Sequence, residues 1–237
     1  MSIADNLRRV QERIARAAER AGRSADEVTL VGVTKYVGLR ELLELVAAGC
    51  ADLGESRPQE LWNKVGELDG LVSPSGETGA AKSLVRWHLV GHLQRNKLHR
   101  TLPLVSLIHS VDSERLLAAI DAERQTLTST SNKPTPPIRV LLEVNTSGEA
   151  AKHGLAPEGV EPVLAVAREF PRVEICGLMT MAALEGGLEV AARNFAMLRK
   201  LRDRWQLQEL SMGMSGDFEV AIREGATIVR IGSALWE

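Results

Sequence analysis

The chain has 237 residues and a formal net charge of −2, with a pI near 6.3, so it lacks the overall basic footprint of nucleic-acid binding. Aromatic residues make up only 3%, leaving little to stack on bases, whereas 44% hydrophobic residues suffice for a sizeable core. No run approaches the roughly 18 uninterrupted apolar residues of a membrane span, and Cys50 and Cys176 both lie beside apolar patterns, as buried thiols in a reducing compartment would.

Taken in chain order, Ser2-Ile3-Ala4-Asp5 and Asn6-Leu7-Arg8-Arg9-Val10 open a charged amphipathic helix over residues 2–21. This start has no apolar centre of the signal-peptide kind, and the chain reads as cytoplasmic. Val28-Thr29-Leu30-Val31-Gly32-Val33-Thr34, ended by Lys35, predicts a buried strand over 28–35. Further strands are predicted at 52–54, 86–90, 106–110, 138–145, 174–180, 209–212 and 227–231. Helical patterns fall between them at 39–48, 58–68, 94–101, 113–125, 157–169, 188–205 and 217–224. Residues 70–83 and 126–137, rich in Ser, Thr, Gly and Pro, read as exposed, mobile loops.

Repeated βα units imply a parallel sheet covered by helices. Eight of them in one domain spanning residues 1–237 predict a closed (β/α)8 TIM barrel, with a doubly wound open sheet as the alternative. The last strand leaves only Ala234-Leu235-Trp236-Glu237, too short for a normal closing helix, so the extra N-terminal helix is expected to cover that face.

Chemistry in parallel α/β folds gathers at the carboxyl ends of strands. Lys35 stands at such an end, where an amine that loses hydration can become a Schiff-base nucleophile; most lysines in that position only carry charge to solvent. Strand parity places Val31, Val33 and Lys35 on one face, and Ile228, Arg230 and Gly232 on one face of the last strand. If both faces point inward, a guanidinium and an ammonium share one mouth and the lysine yields its proton first. Otherwise Arg230 faces helices and pairs with a carboxylate. The loops Ser211-Met212-Gly213-Met214-Ser215-Gly216-Asp217 and Arg230-Ile231-Gly232-Ser233 occupy the positions where barrels bind phosphate. Ser215 and Ser233 offer hydroxyls and Gly216 and Gly232 allow close backbone approach, although Ser215 or Asp217 could equally cap the following helix. His88 and His92 are four apart, but across a strand-to-loop segment; with His99, His109 and His153 scattered, no metal is implied. Arg95, Lys97, His99 and Arg100 read as a solvated helix face.

Trp87-His88 followed by Gly91-x-Leu93-Gln94-x-Asn96-Lys97, taken with the segments around Lys35, Ser215 and Arg230, resembles the YggS/PROSC family of pyridoxal phosphate homeostasis proteins. Gly54-Glu55, Val144-Asn145, Ser147-Gly148-Glu149, Lys152-x-Gly154, Gly177-Leu178-Met179 and Met214-Ser215-x-Asp217 extend the likeness from about Ile3 to Trp236. The resemblance implies a barrel similar to the N-terminal domain of alanine racemase. It implies that Lys35 holds pyridoxal 5′-phosphate as a Schiff base, that Ser215, Gly232 and Ser233 form a phosphate cup, and that Arg230 faces the pyridine nitrogen. Ser56 stands where asparagine is more usual and His92 where proline is common; His88 and Asn145 match pocket-side positions without an assignable role, His88 reading rather as a satisfied wall histidine. The expected function is cofactor buffering and delivery by a monomer, with PLP-requiring apo-enzymes as partners, rather than enzymatic turnover. The alternatives are a racemase- or decarboxylase-like enzyme on the same barrel, and a lysine-dependent aldolase, which a colourless protein would favour.

Overall fold

The computed structural model describes residues 2–70, 85–129, 135–149 and 151–237. Eight parallel strands close into a barrel in chain order: β1 (Thr29–Val33), β2 (Asp52–Glu55), β3 (Arg86–Leu89), β4 (Leu107–Val111), β5 (Ile138–Glu143), β6 (Val173–Met179), β7 (Glu209–Ser211) and β8 (Ile228–Ile231). Closure is made by β1 and β8, with Thr29 opposite Ile228 and Val31 opposite Arg230. The open-sheet alternative is thereby excluded.

Side-chain alternation divides the apolar residues into two bodies. Val31, Leu107, Leu141, Cys176, Met179 and Ile228 fill the barrel interior. Their strand neighbours Ile108, Val140, Leu142, Leu178 and Val229 belong to the larger core between strands and helices. Both cysteines are free and buried, and burial pushes each thiol up to about 11.

Among the described residues the helical layer comprises α1 (Ile3–Arg20), α2 (Leu39–Ala47), α3 (Pro58–Gly70), α4 (Leu98–Thr101), α5 (Glu114–Ser129), α6 (Val160–Val166), α7 (Gly187–Arg204), α8 (Phe218–Arg223) and α9 (Ser233–Trp236). Helix α1 is capped by Ser2, whose Oγ accepts from Asp5 N at 3.1 Å. It buries Leu7, Val10, Ile14, Ala17 and Ala18 at helical spacing and packs against α2, α8 and α9. Asn6 Nδ2 donates to Leu235 O at 3.2 Å, tying it to the short last helix. The N-terminal helix thus packs over the barrel face beside α9. Among the described residues, no helix is long and apolar enough to cross a membrane.

Most element ends shift by a residue or two from the sequence reading, and three of the shifts have a visible cause. Strand β1 stops at Val33 rather than Lys35, because the Thr34 carbonyl accepts from Val37 N at 3.1 Å and from Lys64 Nζ, turning the chain. Helix α5 continues through Ser129 into the stretch read as a loop from residue 126. Its Thr126, Thr128 and Ser129 hydroxyls bond back to the carbonyls of Ala122, Arg124 and Gln125, four residues earlier, so the hydroxyls join the helix instead of ending it. Strand β5 ends at Glu143, and Asn145 closes a turn: its Oδ1 accepts from Gly148 N at 3.1 Å and its Nδ2 donates to Glu149 O. The predicted loop 70–83 lies, beyond Gly70, outside the described residues, as do positions 130–134 of the second loop.

Candidate functional site

One cavity of about 630 Å³ opens at the carboxyl end of the barrel, and Lys35, Ser215, Arg230, Gly232 and Ser233 all line it. The five residues proposed from sequence therefore meet, although they come from opposite ends of the chain. Ser56 lines the same space; His88 and Asn145 do not.

The wall on the β1 side is built around a buried ion pair. Lys64 of α3 and Glu55 of β2 are side chains only 8% and 0% exposed. The ammonium contacts Glu55 Oε1 and the Thr34 carbonyl, while Thr34 Oγ1 donates to Glu55 Oε1 at 2.8 Å. Trp236 Nε1 adds a hydrogen bond to Val33 O at 3.1 Å. Together these contacts fix the backbone that immediately precedes Lys35. Lys35 itself is exposed at the mouth, so the structure does not give it the desolvation expected at a strand end. Its Nζ stands 4.7 Å over the ring of Tyr36. A continued strand would have turned Tyr36 away; the turn after Thr34 brings it under the lysine.

Opposite, Arg230 is buried and points into the barrel, which settles its orientation. Nη1 donates to Ser211 Oγ at 2.6 Å and Nη2 to Thr180 O at 3.0 Å, so its donors go to neutral oxygens rather than to a paired carboxylate. Burial lowers its pKa to about 10 against the opposing charges of Asp217 and Glu143, and the group stays a cation at neutral pH.

Beside it the loops after β7 and β8 meet. Ser215 Oγ accepts from Gly232 N at 3.3 Å and Ala234 N at 3.4 Å, and so does not cap α8. Asp217 Oδ1 instead accepts from Met214 N, holding the loop shut on itself. Gly213, at φ +93°, turns the chain where a Cβ would lie 2.6 Å from that of Ala221. At Gly232, by contrast, a Cβ would meet nothing nearer than Val33 at 3.8 Å. Glycine there keeps space open next to two backbone N–H groups, a concave donor set suited to an anion.

Beneath the cavity a row of buried polar groups crosses the barrel, and sequence reasoning missed most of it. Ser211 Oγ lies 2.8 Å from His109 Nδ1, His109 Nε2 lies 2.9 Å from His88 Nδ1, and His88 Nε2 lies 3.0 Å from Asp52 Oδ1. Arg86 closes the far end with Nε 2.8 Å from Asp52 Oδ1. With both imidazoles neutral, the Asp52 end sets the order of donors along the row. Arg230 can only donate and an ionised Asp52 can only accept. Ser211 therefore donates to His109 Nδ1, His109 Nε2–H to His88 Nδ1, and His88 Nε2–H to Asp52. Burial opposes the charge on Asp52, but hydrogen bonds from His88 and Arg86 hold its carboxyl down to about 2. Burial first, then the repulsion that an added proton would meet from His88 and Arg230, keeps His109 well below the ordinary imidazole value of 6.5. His88 is thus a satisfied interior histidine. The available signal was parity: Asp52, His88, His109 and Ser211 are polar residues in otherwise apolar strands, and buried polar groups must find one another.

This row makes stability depend on pH. His109 stays neutral in the folded state, whereas in the unfolded chain it binds a proton below about 6.5. Stability should therefore be full above 6.5 and fall on acidification from there, by up to about 1.4 kcal/mol per pH unit for one proton. Urea denaturation at pH 7, 6 and 5 measures the slope. His109→Gln should flatten it, and an unchanged slope in that variant would remove His109 as its source.

The histidines set apart in the sequence partly converge as well. The rings of His92 and His153 stack with centroids 5.3 Å apart, and His92 Nδ1 lies 3.8 Å from Asp112 Oδ2.

Barrel, strand-end lysine and anion-receptive loops define a class, and comparison with known proteins supplies the same one: residues 6–237 match the family described as alanine racemase, N-terminal domain. Solved alanine racemases share the fold, that of Clostridium difficile with a TM-score of 0.68 at 15% identity, over 98% of this chain and 56% of that one. Curated relatives narrow the class. The pyridoxal phosphate homeostasis protein of Aquifex aeolicus is 38% identical over 100% of this chain and 98% of its own length, and that of Escherichia coli K12 is 33% identical over 99% and 95%. The structure of PipY from Synechococcus elongatus PCC7942 with PLP bound aligns over 100% of both chains with a TM-score of 0.78 and 30% identity. The chain belongs to the family of pyridoxal phosphate homeostasis proteins.

Proposed function

We propose that this protein binds pyridoxal phosphate in the Lys35–Arg230 cavity, with a Schiff base to Lys35, and maintains the cofactor's supply by buffering it and passing it to apo-enzymes. The observation that carries the reading is the meeting of a lysine, a buried arginine and an open anion-receptive loop on one cavity. The residues fit the cofactor chemically. Lys35 supplies an exposed amine for an aldehyde. Gly232 N and Ala234 N, now on Ser215 Oγ through bonds of 3.3 and 3.4 Å, can turn to a phosphate with little loss. When bound, the cofactor would supply an electron-withdrawing ring, and Arg230, the buried cation lining the cavity, would disfavour protonation of a ring nitrogen facing it and so weaken that effect. Holding is thereby favoured over turnover.

The test is discrimination between vitamers. Pyridoxal lacks the phosphate and forfeits two or more charge-assisted hydrogen bonds, each about 1.5–3 kcal/mol. It should bind on the order of a hundredfold or more weakly than pyridoxal phosphate in calorimetric titration. Ser215→Ala with Ser233→Ala should shrink the gap, and equal affinities in the unmodified protein would dispose of the cup.

The racemase or decarboxylase alternative needs a second acid or base at the cavity. The tyrosine nearest Lys35 is Tyr36, 84% exposed and occupied in a cation–π contact with that lysine. Positioned acid–base groups contribute about 10²–10⁴-fold, so the loaded protein should produce no racemised or decarboxylated amino acid at rates near 1 s⁻¹, the low end of typical enzymes. Chiral chromatography and carbon dioxide release across a panel of L- and D-amino acids check this. Turnover at that rate would establish an enzyme.

A further inference from the structure

We propose that His92, Asp112 and His153 bind a divalent transition metal such as zinc at the rim of the barrel, apart from the cofactor cavity. Each follows a different, successive strand: His92 lies three residues past β3, Asp112 directly after β4 and His153 in the loop beyond β5. Neighbouring parallel strands run about 4.8 Å apart, so residues beyond three adjacent strand ends can reach one point. Here they do. One donor atom from each residue lies within 4.8 Å of the others, the one such His/Cys/Asp/Glu group of three or more among the described residues. None of the three lines the Lys35–Arg230 cavity, so the site does not depend on the cofactor reading.

The donor set selects the ion. Two imidazoles and one carboxylate suit zinc, nickel, cobalt or copper, whereas calcium and magnesium prefer oxygen throughout. Zinc holds its ligands at about 2.0–2.2 Å, which puts tetrahedral donors about 3.3 Å from one another. The His92–Asp112 pair, at 3.8 Å, needs to close by only about half an ångström. His92 and His153 are both exposed, and rotation of their side chains supplies the movement. His92 and Asp112 also line a cavity of about 390 Å³ with Gln94, Asn96, Arg95 and Arg115. That space admits water to the remaining coordination positions. Its two arginines oppose the incoming charge and set the affinity below that of a closed four-ligand centre. The metal would clasp the loops after β3, β4 and β5 to one another on one side of the mouth.

Calorimetric titration of tag-free, full-length protein with zinc chloride in phosphate-free buffer tests the proposal. The expected result is one equivalent of zinc per chain, with affinity reduced at least tenfold in each of His92→Ala, His153→Ala and Asp112→Asn, and unchanged in His99→Ala. These side chains belong to no buried core, and far-UV circular dichroism confirms that the variants fold. Cobalt uptake should give a visible band that disappears in His92→Ala. Absence of saturable zinc binding, or binding unchanged in either histidine variant, overturns the site.

Discussion

Borohydride treatment of the cofactor-loaded protein should leave pyridoxal phosphate fixed to the peptide that carries Lys35 and to no other, and Lys35→Ala should abolish the adduct completely. Lys35 is exposed at the cavity mouth, on a backbone anchored one residue earlier by Lys64 and Glu55. Its amine can therefore reach an aldehyde held by the anion-receptive loops while the chain behind it stays still. Lys35→Ala should lose the visible absorbance of the linked cofactor yet retain weaker binding, because Ser215, Gly232, Ser233 and Arg230 are untouched. Peptide mass spectrometry decides the matter. A stable adduct on another lysine, with Lys35 unmodified, would reject the assignment.

The largest loss of stability is expected from Lys64→Ala. The variant strands Glu55, a fully buried carboxylate, with only Thr34 Oγ1 and Ser56 N as donors among the described residues, at 2.8 and 3.2 Å. Removing one partner of a buried pair typically costs about 3–5 kcal/mol, because the remaining charge has lost its compensation. Joint replacement as Lys64→Met with Glu55→Gln leaves no buried charge and should cost markedly less. Denaturant titration of both variants measures the difference. A loss below about 1 kcal/mol in Lys64→Ala, inside the range of exposed ion pairs, would mean that the pair does not hold the end of β1. Cofactor affinity should fall with stability in Lys64→Ala, since the Thr34 carbonyl loses the ammonium that fixes it.

Much of this architecture was legible in the sequence, for reasons that differ between elements. Apolar runs such as Val28–Val33 and the alternation of strand and helix patterns report burial directly, and the eight-strand count followed from them. The five cavity residues were legible because strand ends and glycine-bearing loops mark where backbone and side chain face a ligand. What escaped depended on partners remote in sequence. Nothing local to Lys64 says that it is buried, and its meaning lies in Glu55 and Thr34. His109 likewise acquires its role only when β3, β4 and β7 bring His88 and Ser211 to it. The error at Lys35 had a local cause: the run of β-branched residues continues to Thr34, but the Thr34 carbonyl is taken by Val37 and Lys64, and the strand ends there. The Ser/Thr stretch from residue 126 misled in the opposite sense, since hydroxyls that often end helices here bond within one.

The row from Arg230 to Asp52 has a consequence for how this interior can change through descent. Its members, at positions 52, 88, 109, 211 and 230, are joined end to end by hydrogen bonds, and with both imidazoles neutral the donors all point toward Asp52. A replacement that removes one member leaves its neighbour's donor or acceptor buried without that partner. Such a lineage would pass through a destabilised intermediate unless a second position changed with it. The five sites should therefore be inherited as a block. Where a relative has lost the aspartate at the far end, the histidine next to it is the first place to look for compensation.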